Sequence, residues 1–226
     1  MTVGFALSAA APEVERVLAI GCHADDIEIG CGGTLLALTR ARPDVHVTWV
    51  VLAAEGVRAE EARASAGAFL SAANSFEIRA LGHRESFLPY VGADVKESFE
   101  ELKSVEPDLV LTHTRHDLHQ DHRLACELTW NTFRDHLILE YEIPKYDGDL
   151  GSPNVFVPLD ENVVSEKLQL LAEHFPTQAS RHWFDDELFR GLLRIRGMEA
   201  ATRYAEAFTC RKLALRIDTR FSEAPA

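Results

Sequence analysis

The sequence contains no apolar run long enough to cross a lipid bilayer. Its longest apolar runs, such as residues 45–54, reach about half of the roughly 20 residues that a membrane-spanning helix needs. Residues 1–12 are small and apolar but lack the basic start and long apolar stretch of a secretory leader. We therefore expect a soluble protein with no membrane partner.

Cysteine is scarce as well. The chain has four, at positions 22, 31, 126 and 210, and they form neither a CxxC pair nor a compact framework. A chain of 226 residues can build a core without disulfide bonds, so we expect reduced thiols and a cytoplasmic location. Cys22 adjoins the candidate site described below, and we interpret it as a small buried thiol.

Positive charge is the third deficit. The chain carries 23 Lys and Arg against 36 Asp and Glu, a formal net charge of −13. A surface that binds nucleic acid needs basic residues to neutralise phosphates, so we expect no nucleic-acid partner. Hydrophobic residues make up 46% of the chain, an ordinary value for a globular protein, and no repeat or linker interrupts it. We predict a single domain over residues 1–226.

Apolar stretches alternate with helical patterns along the first half of the chain. The apolar or β-branched stretches predict buried strands, at residues 16–21, 45–52, 76–81 and 108–113. The segments between them predict helices, at residues 32–39, 58–73 and 94–105. This alternation predicts an α/β fold with a doubly wound, mostly parallel sheet. In the second half we expect strands at 137–143 and 154–157, and helices at 121–136, 161–175 and 188–208.

Two loops of this predicted sheet meet at one edge. Ligands of doubly wound sheets bind at the carboxyl ends of the strands, which brings together residues 22–33 and residues 113–122. The first loop is rich in glycine, but its spacing differs from GxGxxG. Asp25 and Asp26 would also repel a pyrophosphate, so we exclude a dinucleotide site.

The first loop carries an imidazole and two carboxylates, on His23, Asp25 and Asp26. One carboxylate could reach a metal ion and the other a water molecule. This loop alone is weak evidence, because the same residue types can cap a helix.

The second loop adds four histidines, at positions 113, 116, 119 and 122, with Asp117 and Asp121 between them. A catalytic zinc ion takes three protein ligands of these types and keeps one position open. Such an ion makes a water molecule acidic enough to attack near neutral pH. Spacing does not select among the four histidines. His122 is expected in the first turn of a helix facing the strand ends, and His116 is expected to face solvent or substrate.

Together the two loops resemble the LmbE/PIG-L family of N-deacetylases. The first loop, His23-Ala-Asp-Asp26, is similar to the family's His-Pro-Asp-Asp motif, and His119-Gln-Asp-His122 is similar to its His-Pro-Asp-His motif. Proline is replaced at both second positions, by Ala24 and Gln120, so both loops lose a backbone constraint. Some members carry a tyrosine where this chain has Asp117. The resemblance spans about residues 16–208.

The resemblance implies a Rossmann-like fold and a metal-dependent deacetylase that uses zinc or another divalent ion. It implies that His23, Asp26 and His122 hold the metal. It also implies that Asp25 is the general base, that His119 stabilises the oxyanion or assists the leaving amine, and that Asp121 supports a ligand. Substrate contacts are expected from Arg58, Arg115 and His116 and from the segment Lys145-Tyr-Asp-Gly-Asp-Leu150.

The expected reaction is removal of an N-acetyl or similar acyl group from a small polar substrate. The family's usual substrates suggest an amino sugar or a sugar-containing intermediate of natural-product synthesis. Two alternatives stay open: another amide or ester hydrolase on the same metal site, and a metal-stabilised binding protein without catalysis. The acyl group, the amine, the metal used in the cell and assembly into a homo-oligomer are also open.

Overall fold

One seven-stranded sheet organises the protein in the computed structural model, which describes residues 14–214. The strand order is β3-β2-β1-β4-β5-β7-β6. The strands in chain order are β1 Arg16–Gly21, β2 His46–Val51, β3 Phe76–Ala80, β4 Leu109–His113, β5 Leu137–Tyr141, β6 Val155–Leu159 and β7 Tyr204–Thr209.

Strands β1 to β5 run parallel, and β7 is antiparallel to both of its neighbours. The central strands β1 and β4 are buried almost throughout, which explains why they are continuous apolar runs in the sequence. The predicted α/β fold with a doubly wound, mostly parallel sheet is therefore confirmed.

Helices cover both faces of the sheet. They are α1 Asp26–Ala41, α2 Gly56–Phe69, α3 Gly92–Leu102, α4 Gln120–Thr132, α5 Glu161–His174 and α6 Asp186–Glu199. Helices α1, α2, α5 and α6 bury one apolar core against the sheet, and α3 and α4 bury the other. In residues 14–214, no helix combines the length and the apolar composition that crossing a membrane would require.

Helix α1 begins six residues earlier than the sequence predicted, at Asp26 instead of residue 32. Its glycines are therefore helical residues, although their composition suggested a loop. A Cβ atom at Gly30 would overlap the ring of Tyr141, and one at Gly32 would lie 2.6 Å from Phe69. The glycines thus allow close packing of α1 on its neighbours, and the loop after β1 shortens to residues 22–25.

The predicted helix over residues 188–208 is wrong in its second half. Helix α6 ends at Glu199, and Ala201 adopts a left-handed conformation with φ of 58°. The chain then returns as β7, which is buried between β5 and β6. Burial between two strands satisfies the backbone of this segment, and this tertiary pairing outweighs the helical preference of its alanines and glutamate.

Strands β1 and β4 are adjacent in the sheet, and the chain leaves them in opposite lateral directions, towards β2 and towards β5. A crevice forms at such a reversal of strand order, at the carboxyl ends of the strands. The turn that carries His23 and the first turn of α4, which carries His122, lie at this end of the sheet.

Candidate metal centre and active site

The turn after β1 is built around the carboxylate of Asp26. Its Oδ2 accepts the backbone N–H groups of Cys22 at 3.0 Å and of His23 at 2.7 Å. Asp26 is also the first residue of α1, where a negative charge is favourable beside the free N–H groups of the helix. The turn thereby directs the imidazole of His23 and the carboxylate of Asp26 towards the same point.

Three side-chain atoms from the two loops form a small triangle. His23 Nδ1 lies 3.1 Å from His122 Nε2 and 3.3 Å from Asp26 Oδ2. The third side, from His122 Nε2 to Asp26 Oδ2, measures 3.4 Å. All three side chains are buried, with at most 9% of each residue exposed. The predicted ligand set is therefore gathered in one place.

The other ring nitrogens of the two histidines face carboxylates. His23 Nε2 lies 3.2 Å from Asp121 Oδ2, and His122 Nδ1 lies 2.9 Å from Asp117 Oδ2. When these nitrogens donate their protons to the carboxylates, the lone pairs of His23 Nδ1 and His122 Nε2 point into the triangle. Carboxylate support of this kind is typical of histidines that bind metal ions.

The triangle fits a tetrahedral divalent ion. Zinc bonds of about 2.0–2.1 Å to nitrogen and oxygen place neighbouring ligand atoms about 3.3–3.4 Å apart. The three measured sides, 3.1, 3.3 and 3.4 Å, lie close to that spacing. Two imidazoles and one carboxylate also match the donor set of catalytic zinc sites, which keep a fourth position open.

Electrostatics at the triangle favour positive charge. Burial lowers the pKa of His23, but the Asp26 charge and the hydrogen bond to Asp121 outweigh it and raise that pKa to about 10. Burial likewise lowers the pKa of His122, and Asp26 and Asp117 more than reverse the effect. Surrounding carboxylates thus create a negative potential at the point where a cation would bind.

Asp25 and Asp26 have different hydrogen-bond partners. Oδ1 of Asp25 accepts a hydrogen bond from Arg58 at 3.2 Å, whereas its buried Oδ2 has no hydrogen-bond partner among the described residues. Burial raises the pKa of Asp25, and the nearby Arg58 charge only partly opposes this. A carboxylate with one free oxygen and a raised pKa is well suited to accept a proton.

His119 precedes α4 and borders the same space. Its Nδ1 accepts the backbone N–H of Asp121 at 3.3 Å, which leaves the proton on Nε2. Its ring centre is 4.9 Å from that of His23 and 4.6 Å from that of His122. Burial, together with the charges of the neighbouring histidines, lowers the pKa of His119. A neutral ring with a free N–H can therefore donate a hydrogen bond here.

His113, at the end of β4, was not among the predicted site residues. It is fully buried and stacks on His122 with ring centres 3.8 Å apart. Its Nε2 lies 3.2 Å from Asp26 Oδ2, so it belongs to a second group of potential ligands with Cys22, Asp26 and His122. Burial is the main cause that lowers the pKa of His113 to about 4.

Two of the expected substrate contacts lie apart from the triangle. Arg115 and His116 are exposed, and His116 lines a separate cavity of about 240 Å³ with Glu142 and Asp149. Arg58, in contrast, contacts Asp25 directly.

Sequence reasoning gave no role to Asp117. It placed Lys145 among the candidate substrate contacts, and Lys145 Nζ lies 2.9 Å from Asp117 Oδ2. Asp117 is only five residues before His122. This short spacing is the feature of the sequence that could have indicated a contact between the two side chains.

Known proteins resemble this chain in sequence and in fold. A curated relative from Escherichia coli K12, described as an uncharacterized deacetylase, YaiS, is 28% identical over 191 residues, which cover 75% of this chain and 95% of that protein. The N,N'-diacetylchitobiose deacetylase from Pyrococcus horikoshii superposes with a TM-score of 0.72 at 21% identity, covering 91% of this chain and 87% of that one.

The fold is shared by an enzyme of a different type as well. The 4-carboxy-2-hydroxymuconate hydratase GalB from Pseudomonas putida KT2440 superposes with a TM-score of 0.71 at 16% identity, covering 90% of this chain and 99% of that one. At such low identity these structures establish the fold alone.

The sequence itself carries the assignment to a family. Residues 18–133, slightly more than half of the 226-residue chain, match the PIG-L family, described as GlcNAc-PI de-N-acetylase. This segment contains both predicted motifs and every residue of the triangle. The protein therefore belongs to the PIG-L family of metal-dependent N-deacetylases.

Proposed function

We propose that this protein is a zinc-dependent hydrolase that removes an N-acetyl group from an amino sugar or a sugar-containing intermediate. The observation that carries the proposal is the triangle of His23 Nδ1, Asp26 Oδ2 and His122 Nε2, with sides of 3.1–3.4 Å, beside the free Oδ2 of Asp25. Two of the ligands and the base come from residues 23–26, and the third ligand, His122, comes from the first turn of α4.

His23, Asp26 and His122 would hold the ion, and Asp117 and Asp121 would orient the two imidazoles. When bound, the ion supplies Lewis-acid polarisation of the amide carbonyl and increases the acidity of the attacking water. His113, held neutral by burial, would pack beside the ligands from the strand side, where its Nε2 accepts the backbone N–H of Cys22 at 3.1 Å.

Asp25 would accept the proton of the attacking water through Oδ2, while Arg58 fixes its other oxygen. The same carboxyl group would then deliver that proton to the amide nitrogen, so that the amine leaves as the carbon–nitrogen bond breaks. His119 would donate from Nε2 to the oxyanion that forms as the carbonyl is attacked.

Support for the substrate class comes from relatives. The family description names an N-acetylglucosamine lipid, and a similar structure is a deacetylase of N,N'-diacetylchitobiose. We infer an N-acetylated sugar derivative as substrate. Three expectations from the sequence stay predictions: substrate contacts from Arg115 and His116, a cytoplasmic location, and a homo-oligomeric state.

Two measurements on purified protein test the proposal. Elemental analysis should find about one zinc ion per chain, and a screen of N-acetylated sugars should release acetate and a primary amine in equal amounts. Release of other acids, or cleavage of esters only, would favour a different hydrolase on this site. Bound metal without turnover of any amide would favour a binding protein and contradict the proposal.

A further inference from the structure

A short turn after β3, the Ser86 turn (residues 86–88), lies against the start of α4. The backbone N–H of Ser86 donates to Asp121 Oδ2 at 2.7 Å, and that of Leu88 donates to Asp121 Oδ1 at 3.2 Å. The same Oδ2 lies 3.2 Å from His23 Nε2. The turn therefore fixes both oxygens of a carboxylate that faces one corner of the ligand triangle.

Asp121 depends on this turn for most of its hydrogen bonds. Its side chain is fully buried, and within residues 14–214 its carboxylate accepts only from the two N–H groups of the turn and faces His23. A buried carboxylate needs donors to offset its desolvation. Without the turn, His23 alone would hold Asp121, so the direction of the His23 ring depends on the Ser86 turn.

The Ser86 turn has a backbone conformation that serine rarely adopts. Ser86 has φ of 64°, in the left-handed region that favours glycine. Such a conformation persists only where its surroundings enforce it. Here Gln120 Nε2 donates to the carbonyl oxygen of Ser86 at 2.5 Å, while Asp121 accepts the N–H of the same residue. Leu88, fully buried in the core beneath α3 and α4, anchors the end of the turn.

Gln120 is one of the two positions at which this chain departs from the family's motifs. Proline, which stands there in His-Pro-Asp-His, constrains the backbone but has no side-chain donor for the carbonyl of Ser86. The glutamine thus replaces a local backbone constraint with a hydrogen bond to a separate loop.

We propose that the Ser86 turn is a positioning element of the metal centre and that Gln120 holds this turn in place. The turn fixes Asp121, and Asp121 fixes the His23 ring so that Nδ1 faces the ion. Ser86, Leu88 and Gln120 are positioning residues, because they act on the ion only through Asp121. This inference rests on the proposed metal site but not on the identity of the substrate.

The zinc test places a β-branched residue in the turn, because such residues are excluded from the left-handed region more strongly than serine. Ser86→Val should force the turn out of its conformation. The zinc dissociation constant, measured by competition with a chelator, should rise by about 3- to 10-fold, less than direct loss of a supporting carboxylate causes. The conservative variant Ser86→Gly accepts this conformation without strain and should retain the zinc affinity.

The matched control is Glu106→Val. Glu106 is also exposed and left-handed, with φ of 47°, but it precedes β4 and so lies at the opposite edge of the sheet from the metal centre. Both valine variants should unfold at a lower denaturant concentration than the unmodified protein, and only Ser86→Val should lose zinc affinity. Equal zinc dissociation constants in the two valine variants overturn the inference.

Amide hydrogen exchange, followed by NMR in the metal-free protein, tests the turn without zinc. Gln120→Met keeps the length of the side chain but removes its donor. It should speed exchange of the Ser86 and Leu88 amides by about 3- to 10-fold, as expected for the loss of one hydrogen bond. Gln169→Met is the control, because Gln169 donates to Glu173 on α5, across the sheet from the turn.

The two tests separate this inference from the proposed function. Unchanged exchange in Gln120→Met shows that Gln120 does not hold the turn and overturns that part of the inference. If the unmodified protein binds no zinc, the proposed function fails, and faster exchange in Gln120→Met still supports a turn held against Asp121. Acetate release by a Ser86→Val protein with full zinc affinity leaves the function standing and removes the turn from the metal centre.

Discussion

Nδ1 of His122 lies 2.9 Å from Oδ2 of Asp117, a fully buried carboxylate five residues earlier in the chain. Burial alone would raise the pKa of Asp117, but the hydrogen bond and charge of His122, with a further hydrogen bond from Lys145, hold that pKa well below its usual range. The carboxylate therefore stays ionised. In the proposed metal site it would fix the ring tautomer that presents Nε2 to the ion and would make that nitrogen a stronger donor.

Asp117→Asn should weaken metal binding by about 10- to 100-fold, because the amide keeps the shape but loses the charge behind His122. The apparent dissociation constant for zinc, measured by competition with a chelator, checks this. Asp149→Asn is the control, since Asp149 also faces Lys145 but does not contact His122. Equal affinity in Asp117→Asn and the unmodified protein would remove Asp117 from the metal site.

Asp25→Asn should retain zinc and lose most of its turnover. Loss of the base is expected to lower kcat by about 10²- to 10⁴-fold, because proton transfer from water contributes a factor of that size. Metal content and acetate release, measured on the same sample, separate the two effects. Zinc lost together with activity would instead place Asp25 among the ligands.

Much of the fold could be predicted because its signals are local. The buried strands β1 and β4 are continuous apolar runs, and the rule for doubly wound sheets then brings residues 22–33 near residues 113–122. The ligand triangle followed from the similarity of two short motifs to a family. The spacing of the four histidines did not select His122, because they are all three residues apart.

The rest depends on contacts between distant segments. Strand β7 resembles a helix in composition and becomes a strand only because β5 and β6 flank it. Glu206 of β7 reaches back to α1 and accepts the backbone N–H groups of Gly33 and Thr34 at 2.7 and 2.6 Å. Nothing in the local sequence indicates a contact across 173 residues.

Gly30→Ala should destabilise the protein by about 1–3 kcal/mol, because the added methyl group would overlap the buried ring of Tyr141. The hydroxyl of that tyrosine donates to the Ile20 carbonyl at 2.6 Å, which limits how far the ring can move. Gly67→Ala in α2 is the matched control: its Cβ would meet nothing within 4 Å, and the change should stabilise the helix by up to about 1 kcal/mol. Denaturant unfolding of both variants measures the difference.

Lys167 and Glu206 form a buried ion pair at 2.7 Å, with 1% and 2% of their side chains exposed. Lys167→Met should lower the free energy of unfolding by about 3–5 kcal/mol, because it leaves the charge of Glu206 buried without Lys167. When Glu206 is already replaced by Gln, Lys167→Met should destabilise the protein less. The double-mutant cycle should therefore give an interaction energy of about 1–3 kcal/mol between the two side chains.

An exposed pair gives the contrast for that cycle. Lys96 and Glu100 form an ion pair on the surface of α3, and Lys96→Met should change stability by no more than about 0.5 kcal/mol. Additive effects in the Lys167–Glu206 cycle would mean that the buried pair does not act as a unit.

The four thiols should differ sharply in reactivity. Cys22, Cys31 and Cys126 are buried, and burial is the largest cause that raises the pKa of each thiol, to about 12 for Cys126. Thiolate is the reactive form, so these three should resist DTNB at pH 8 in the folded protein. Cys210 is partly exposed, and its pKa is raised less, so it should react alone and slowly. After unfolding in guanidinium, all four thiols should react with DTNB. Fewer than four reactive thiols in the unfolded chain would reveal a disulfide and contradict the expectation of reduced cysteines.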